Sequence, residues 1–427
     1  MAFVAGIVST RVMMAISLRL DIVDKPDGYR KSHEKDTPLL GGVGIYIAFL
    51  LPLLILYFHH WSLVARLLAL HAFEFAALVL CAGLVVVLGV IDDISGLKPR
   101  SKIIGQAIII SVGYKLGFSI EAVINPLGGS LELGVFSYPV TLLWFIGCMN
   151  AVNLLDGMDG LAAGSVLFVS ITLFFVSLYF ENVWGMLLMG CLGGSIAGFL
   201  VFNFPPARIF MGDSGSLLLG FLVAALSLIG GIRKADTAVA LFIPVIALGL
   251  PIIDTTLAIL RRWYHKLPIA APDRKHIHHT LVSMGYTPRR TVLSLYAVTV
   301  LLGTVSLASI LGRSEIIFFV AGLLLVLVYV GIRIFAGLSL RDLADKIGKD
   351  RIEKDRLLQN RMKTDRAIAG IREAGSLDEA WDMACGVFPG LDLGYARLVI
   401  APELLDDSPE LEWSSTCRDE HGNSGGD

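Results

Sequence analysis

GLVVVLGVIDD, residues 83–93, decides the fold class. Its first nine residues carry only apolar side chains and glycine, and the apolar run reaches back to about residue 74. A hydrocarbon core of about 30 Å takes roughly 20 helical residues to cross. The run then stops on two adjacent aspartates, Asp92 and Asp93. Two like charges at a membrane edge are costly unless a cation or a function holds them there. The stretch reads as a spanning helix that delivers two carboxylates to one surface of a bilayer.

The same apolar pattern recurs along the chain. About eleven stretches approach spanning length, near 2–19, 40–58, 74–91, 102–118, 138–155, 161–179, 184–202, 215–232, 237–260, 291–311 and 315–335. With 55% hydrophobic residues, 17% charged residues and a mean hydropathy of +0.72, the 427-residue chain cannot hide its apolar surface in one soluble core. Lipid admits only helices or closed barrels, and these runs lack the alternation of barrel strands. The expected fold is therefore an all-α integral membrane protein. MAFVAGIVSTRVMMAISLRL at the N-terminus has no basic leader and no small-residue cleavage site, so it reads as a first spanning helix with Arg11 inside it. A net charge of −2 gives no reason to expect nucleic acid as a partner. None of the five cysteines forms a CxxC pair, so neither a disulfide framework nor a zinc site is indicated.

Lysine and arginine collect on alternate connections. Lys25, Arg30, Lys31 and Lys35 follow the first span, Lys98 and Arg100 the third, Arg208 the seventh, and Arg261, Arg262, Lys266, Arg274, Lys275, Arg289 and Arg290 the ninth. The positive-inside rule places these connections, and the C-terminal tail, in the cytoplasm. The transmembrane domain is expected over 1–337. A charged cytoplasmic helical extension follows at 338–405, with one further helix and one strand in its second half, and then a disordered tail over 406–427. The extension carries no recognisable chemistry and reads as a packing or dimerisation appendage, with pairing of two copies left open.

Five polar clusters fall on the cytoplasmic side: DKPDGYRKSHEKDTPLLGG (24–42), DDISGLKPRSK (92–102), NAVNLLDGMDG (150–160), FNFPPARIFMGDSGS (202–216) and PDRKHIHH (272–279). Hard carboxylate oxygens at Asp92 and Asp93 suit Mg²⁺, which takes one or two carboxylates and completes its shell with substrate phosphates. An isolated Asp-Asp pair is more often a solvated helix end; the company of the other loops changes that weighting. Asp213 or Ser214 can cap the helix that follows Pro205-Pro206, or Asp213 can hold a metal opposite Asp92 and Asp93. Asp156 and Asp159 share a tight turn, with Asn150 and Asn153 upstream, where an unpartnered amide would be expensive in lipid. Arg274, Lys275, His276, His278 and His279 could take zinc, but their surplus of cations better suits a pyrophosphate.

Taken in order, these motifs resemble the polyprenyl-phosphate N-acetylhexosamine-1-phosphate transferases of the WecA/MraY type, over about residues 20 to 290. DKPDGYRKSHEKDTPLLGG is similar to the branch that uses UDP-N-acetylglucosamine, and Ile277 interrupts the histidine run usual in the muramoyl-pentapeptide branch. The resemblance implies a UDP-sugar donor, an undecaprenyl-type polyprenyl phosphate acceptor embedded in the lipid bilayer, Mg²⁺ or Mn²⁺ as cofactor, and release of UMP. It further implies that Asp92 and Asp93 are the family's aspartate pair, that Lys102 helps hold the pyrophosphate, and that Asp213, with Asn153 nearby, meets the metal. Asp156 or Asp159, Asn203 and Phe210 would contribute to the nucleotide pocket, with Phe210 packing on uracil. Arg274, His276, His278 and His279 would close over the phosphates, and Lys31 or Lys35 is a further contact candidate. The rival readings are a polytopic lipid or solute transporter, for which midplane sites on broken helices and inverted repeats are wanting, and a prenyltransferase, which has no use for the histidine loop.

Overall fold

Long apolar runs with every backbone amide needing an internal partner wind into helices, and the computed structural model is dominated by them. It describes residues 1–24, 36–58, 62–124, 130–229, 248–249, 252–256, 262, 277–311, 364–371, 373–388, 395–399 and 410–414. The helices are α1 (Ala2–Arg19), α2 (Gly41–Phe58), α3 (Ser62–Leu70), α4 (Ala72–Ser95), α5 (Pro99–Lys115), α6 (Ser137–Leu155), α7 (Leu161–Tyr179), α8 (Val183–Asn203), α9 (Gly212–Ile229), α10 (Ile277–Ser283), α11 (Pro288–Leu311) and α12 (Leu377–Cys385). Among the described residues, eight of them (α1, α2, α4, α6, α7, α8, α9 and α11) are long and apolar enough to cross a membrane. The fourth expected span corresponds to α5, a 17-residue helix. The windows 237–260 and 315–335 lie largely or wholly outside the described residues.

Three short antiparallel strand pairs depart from an all-helical reading. They are β1 (Val23–Asp24) with β2 (Thr37–Pro38), β3 (Ala122–Ile124) with β4 (Ser130–Glu132), and β5 (Tyr395–Val399) with β6 (Glu410–Ser414). The first two join connections between helices, where backbone groups released from one helix must find partners before the next begins. The short helix α3 was not anticipated either.

The chain divides into two compact units, Met1–Gly337 and Leu338–Asp427. In the second, Ser376 accepts the Glu379 amide at 3.2 Å while Glu379 accepts the Gly375 amide at 3.0 Å, a reciprocal cap that starts α12. Strand β6 falls inside the segment expected to be disordered. Its sequence ELEWS alternates polar and apolar residues, the period that suits a strand, and it pairs Leu411 with Leu398 and Trp413 with Ala396.

Helix α9 is the axis of the first unit. Every residue from Ser214 through Ser227 is buried, as befits a helix apolar on all sides. Helices α2, α4, α6, α7 and α8 all pack on it. Its closest approach to α4 is at Gly89, where an added Cβ would lie 2.2 Å from Ser214 Cα, so the two backbones touch directly. Gly147 on α6 has nothing within 4 Å of the equivalent position. Gly89→Ala is expected to force α4 and α9 apart and lower the melting temperature of the detergent-solubilised protein, a cost of about 1–3 kcal/mol for an overpacked site. Gly147→Ala should leave it unchanged or slightly raised. Equal melting of the two variants would refute direct backbone contact as the basis of this packing.

Candidate active site

The contact between α4 and α9 brings the end of one helix to the start of the other. Asp92 and Asp93 occupy the last turn of α4, which Gly96 closes in the left-handed conformation. A helix C-terminus carries partial negative charge, so carboxylates there need compensation from elsewhere. Asp93 finds it at the N-terminus of α9: its Oδ1 accepts the Asp213 amide at 2.6 Å and its Oδ2 the Ser214 amide at 3.1 Å. The cap that sequence offered to Asp213 or Ser214 is thus supplied by Asp93 from another helix. Gly212 makes this approach possible, with φ +68° and no side chain; a Cβ there would sit 2.6 Å from Asp93 Oδ2.

Asp92 is compensated by a cation. Its Oδ1 accepts the Leu97 amide at 2.7 Å, and its Oδ2 lies 2.9 Å from Lys102 Nζ in the first turn of α5. The same ammonium lies 2.9 Å from Asp213 Oδ2 and donates to Asn153 Oδ1 at 3.3 Å. Asn153 in turn donates through Nδ2 to Asp213 Oδ1 and, at 2.8 Å, to Ser216 Oγ. Four helices therefore converge on one ammonium. The Asp92 side chain is only 7% exposed whereas that of Asp213 is 31% exposed, so Asp213 is the carboxylate open to an incoming ligand.

A second group of contacts holds the turn between α6 and α7 against the 204–211 loop. Asp159 Oδ2 accepts the Ala207 amide at 2.9 Å. Asn203, almost fully buried, accepts the Gly160 amide at 3.0 Å and donates to the Ile209 carbonyl at 2.8 Å. Tyr296 donates to the Gly160 carbonyl at 2.5 Å, and Arg289 Nε to the Pro205 carbonyl at 2.8 Å, both from α11. Phe210 is tied through its backbone to Pro38 and Gly41. Both ends of the Asn203 amide are engaged by backbone groups, which ties the turn between α6 and α7 to the 204–211 loop.

The histidine loop reaches the same turn. His278 is buried with its ring against Gly157, where an added Cβ would lie 2.7 Å from Nε2. The Ile277 amide donates to Asp254 Oδ1 at 3.0 Å. Arg274, His276, Lys31 and Lys35 lie outside the described residues, as does the side chain of His279. Sequence reading passed over Ser216, Asp254, Tyr296 and Arg289. Ser216 sits one helical turn after Asp213 on the same face, and Asp254 is a carboxylate within an apolar stretch, so both carried a signal.

Among the described residues no group of three or more His, Cys, Asp or Glu side chains forms a metal-ligand set. Mg²⁺ does not require one, since substrate phosphates and water complete its shell. The oxygens of Asp92 and Asp213 already share one cation, the Lys102 ammonium, and this all-oxygen environment fits a hard divalent ion.

Asp156 completes the acidic group, and its carboxylate has no hydrogen-bond or ion-pair partner among the described residues. Burial raises its pKa well above the ordinary carboxylate value, and the charges of Asp213, Asp93 and Asp159 raise it further. A carboxyl whose pKa is raised in the folded state lowers stability at every pH above its unfolded value of about 4. Asp156→Asn is therefore expected to melt higher than the parent at pH 7.5 without Mg²⁺ or substrate, with the difference fading towards pH 4. A pH-independent difference would remove charge as its cause.

Comparison with known proteins agrees with this geometry. The profile of glycosyl transferase family 4 matches residues 75–231. The chain is 38% identical over 299 residues to the probable undecaprenyl-phosphate N-acetylglucosaminyl 1-phosphate transferase of Bacillus subtilis (strain 168), covering 68% of this chain and 78% of that protein. It is 34% identical over 293 residues to the decaprenyl-phosphate N-acetylglucosaminephosphotransferase of Mycolicibacterium smegmatis, covering 62% and 70%. It is 31% identical over 315 residues to the phospho-N-acetylmuramoyl-pentapeptide-transferase of Caldicellulosiruptor bescii, covering 69% and 89%. The chain belongs to glycosyl transferase family 4, the multi-pass membrane enzymes that transfer a sugar 1-phosphate to a polyprenyl phosphate.

Proposed function

We propose that this enzyme transfers N-acetylglucosamine 1-phosphate from UDP-N-acetylglucosamine to undecaprenyl phosphate at the cytoplasmic face of a bacterial inner membrane. The reading is carried by the ammonium of Lys102 held between Asp92 and Asp213, an arrangement suited to gathering charge around a diphosphate. The sugar is supported by the names of the 38% and 34% identical relatives and by the Ile277 interruption of the histidine run. The cytoplasmic face is supported by the distribution of lysine and arginine.

An oxygen of the lipid phosphate bonds to the β-phosphorus of the donor. The bond from that phosphorus to the oxygen bridging to the α-phosphate breaks, and UMP leaves with the electron pair. Asp213, with Asn153 and Asp92 close by, would hold Mg²⁺, whose charge would neutralise the diphosphate oxygens. Lys102 adds fixed positive charge, Arg274, His276, His278 and His279 close over the phosphates, and Asp156, Asp159 and Phe210 line the nucleotide side. Most of the rate enhancement is then positioning and charge stabilisation. A phosphate monoester has its second pKa near about 6, so the acceptor is largely dianionic at neutral pH without a base. Both oxygens of Asp92 already accept donors, and its task is to hold Lys102.

Purified enzyme given Mg²⁺, undecaprenyl phosphate and competing UDP-sugars is expected to consume UDP-N-acetylglucosamine and release UMP, and to stop when the metal is chelated. Asp213→Ala should lose roughly 100-fold or more. Asp92→Asn should lose activity equally at pH 6.5 and 8.5; a loss that recovers at high pH would show that Asp92 acts as a base. Full activity of Asp213→Ala would overturn the site.

A further inference from the structure

The histidine loop needs a support, and the structure contains one outside the five polar motifs. Asp254 lies in a helical segment, residues 252–256, within an otherwise apolar stretch, and is only 4% exposed. A carboxylate in such surroundings is expensive unless donors hold it. Its Oδ1 accepts the amide of Ile277, the first residue of α10. The first amides of a helix have no partner within it, so a carboxylate from another segment can fix where the helix starts and how it is turned. The next residue, His278, is placed with its Nε2 against Gly157, between Asp156 and Asp159. There is no slack in this arrangement: Ile277 is itself buried, and a single methyl group at Gly157 would collide with the imidazole.

We propose that Asp254 is a positioning residue for the transfer reaction, anchoring the N-terminus of α10 so that His278 is held in place at the Gly157 turn. The inference rests on the reading that His278 serves the phosphates. Asp254 itself touches no substrate; it acts through the Ile277 amide. Asparagine keeps an oxygen acceptor at this place and alanine does not.

The test uses the full chain in detergent with undecaprenyl phosphate, UDP-N-acetylglucosamine and Mg²⁺. Asp254→Ala is expected to lower kcat/KM for the UDP-sugar by about 10- to 100-fold, the loss typical of a hydrogen bond to a charged group. Asp254→Asn should stay within about threefold of the parent. Inhibition by uridine, which carries no phosphate, should be unchanged in both, whereas a general loss of fold would weaken it. The double variant Asp254→Ala/His278→Ala should be no slower than His278→Ala alone, because residues acting as one unit are not additive. If Asp254→Ala does not yield folded protein, Ile277→Pro deletes the donor instead. Proline is tolerated at a first helical position, and the same loss of kcat/KM is expected with uridine inhibition retained. Parent-like activity of Asp254→Ala or of Ile277→Pro beside an impaired His278→Ala overturns the inference alone, as does a double variant slowed by the product of the single losses. Full activity of His278→Ala overturns the reading of His278 and the inference with it.

Discussion

The two amides that α9 donates to Asp93 are the contact on which the site depends. Helix α4 ends in negative partial charge and α9 begins in positive, and the Asp93 carboxylate lies between them with both oxygens satisfied. This junction sets the distance between Asp92 and Asp213. Those two residues can share the Lys102 ammonium because Asp213 is itself the first of the two capped residues and Asp92 immediately precedes the capping residue, Asp93. Gly89 and Gly212 are the conditions for the junction: one lets the backbones meet, the other lets the carboxylate enter.

Around that junction the protein concentrates carboxylates that repel one another. Asp93 is neutralised by amides, Asp92 and Asp213 by Lys102 and Asn153, and Asp159 by the Ala207 amide. The Asp156 carboxylate has no hydrogen-bond or ion-pair partner among the described residues, and burial beside these charges raises its pKa. A carboxylate so placed is relieved by any cation that comes near it, so the ligand-free protein carries unrelieved repulsion at this turn. Stability is set against function here in a way that the apolar packing of α9 elsewhere is able to carry.

Spans and motifs were legible because lipid makes them so. An apolar run of 20 residues has one backbone solution, and charged clusters at its ends cannot be incidental. Asp92, Lys102, Asn153 and Asp213, scattered over four helices, meet in the structure. The partners of each group were not legible. Capping of α9 by Asp93 in place of Asp213 or Ser214 depends on how α4 packs, which no local pattern encodes. The strand pairs at 23–38 and 122–132 are too short for a periodicity, and the strand at 410–414 was hidden in a tail whose polar composition outweighed five residues of alternation. Asp254 is visible as a carboxylate in an apolar stretch, but its partner, the Ile277 amide 23 residues on, is not.

The roles of the polar residues divide by what their side-chain oxygens already hold. Asp93, Asp159 and Asn203 spend theirs on backbone amides, and Asp92 on one amide and Lys102; replacing any of them moves a loop or a helix end. Asp213 is held only by side chains, those of Lys102 and Asn153, and its carboxylate is more exposed than that of Asp92. Loss of activity at all five positions would look alike in a simple assay although its causes differ. A substitution at Asp92, Asp93, Asp159 or Asn203 should lower stability together with turnover, while one at Asp213 should lower turnover with less effect on stability. Number of fixed backbone partners, more than distance from the ammonium, is thus the property that separates the frame of this site from the part that meets substrate.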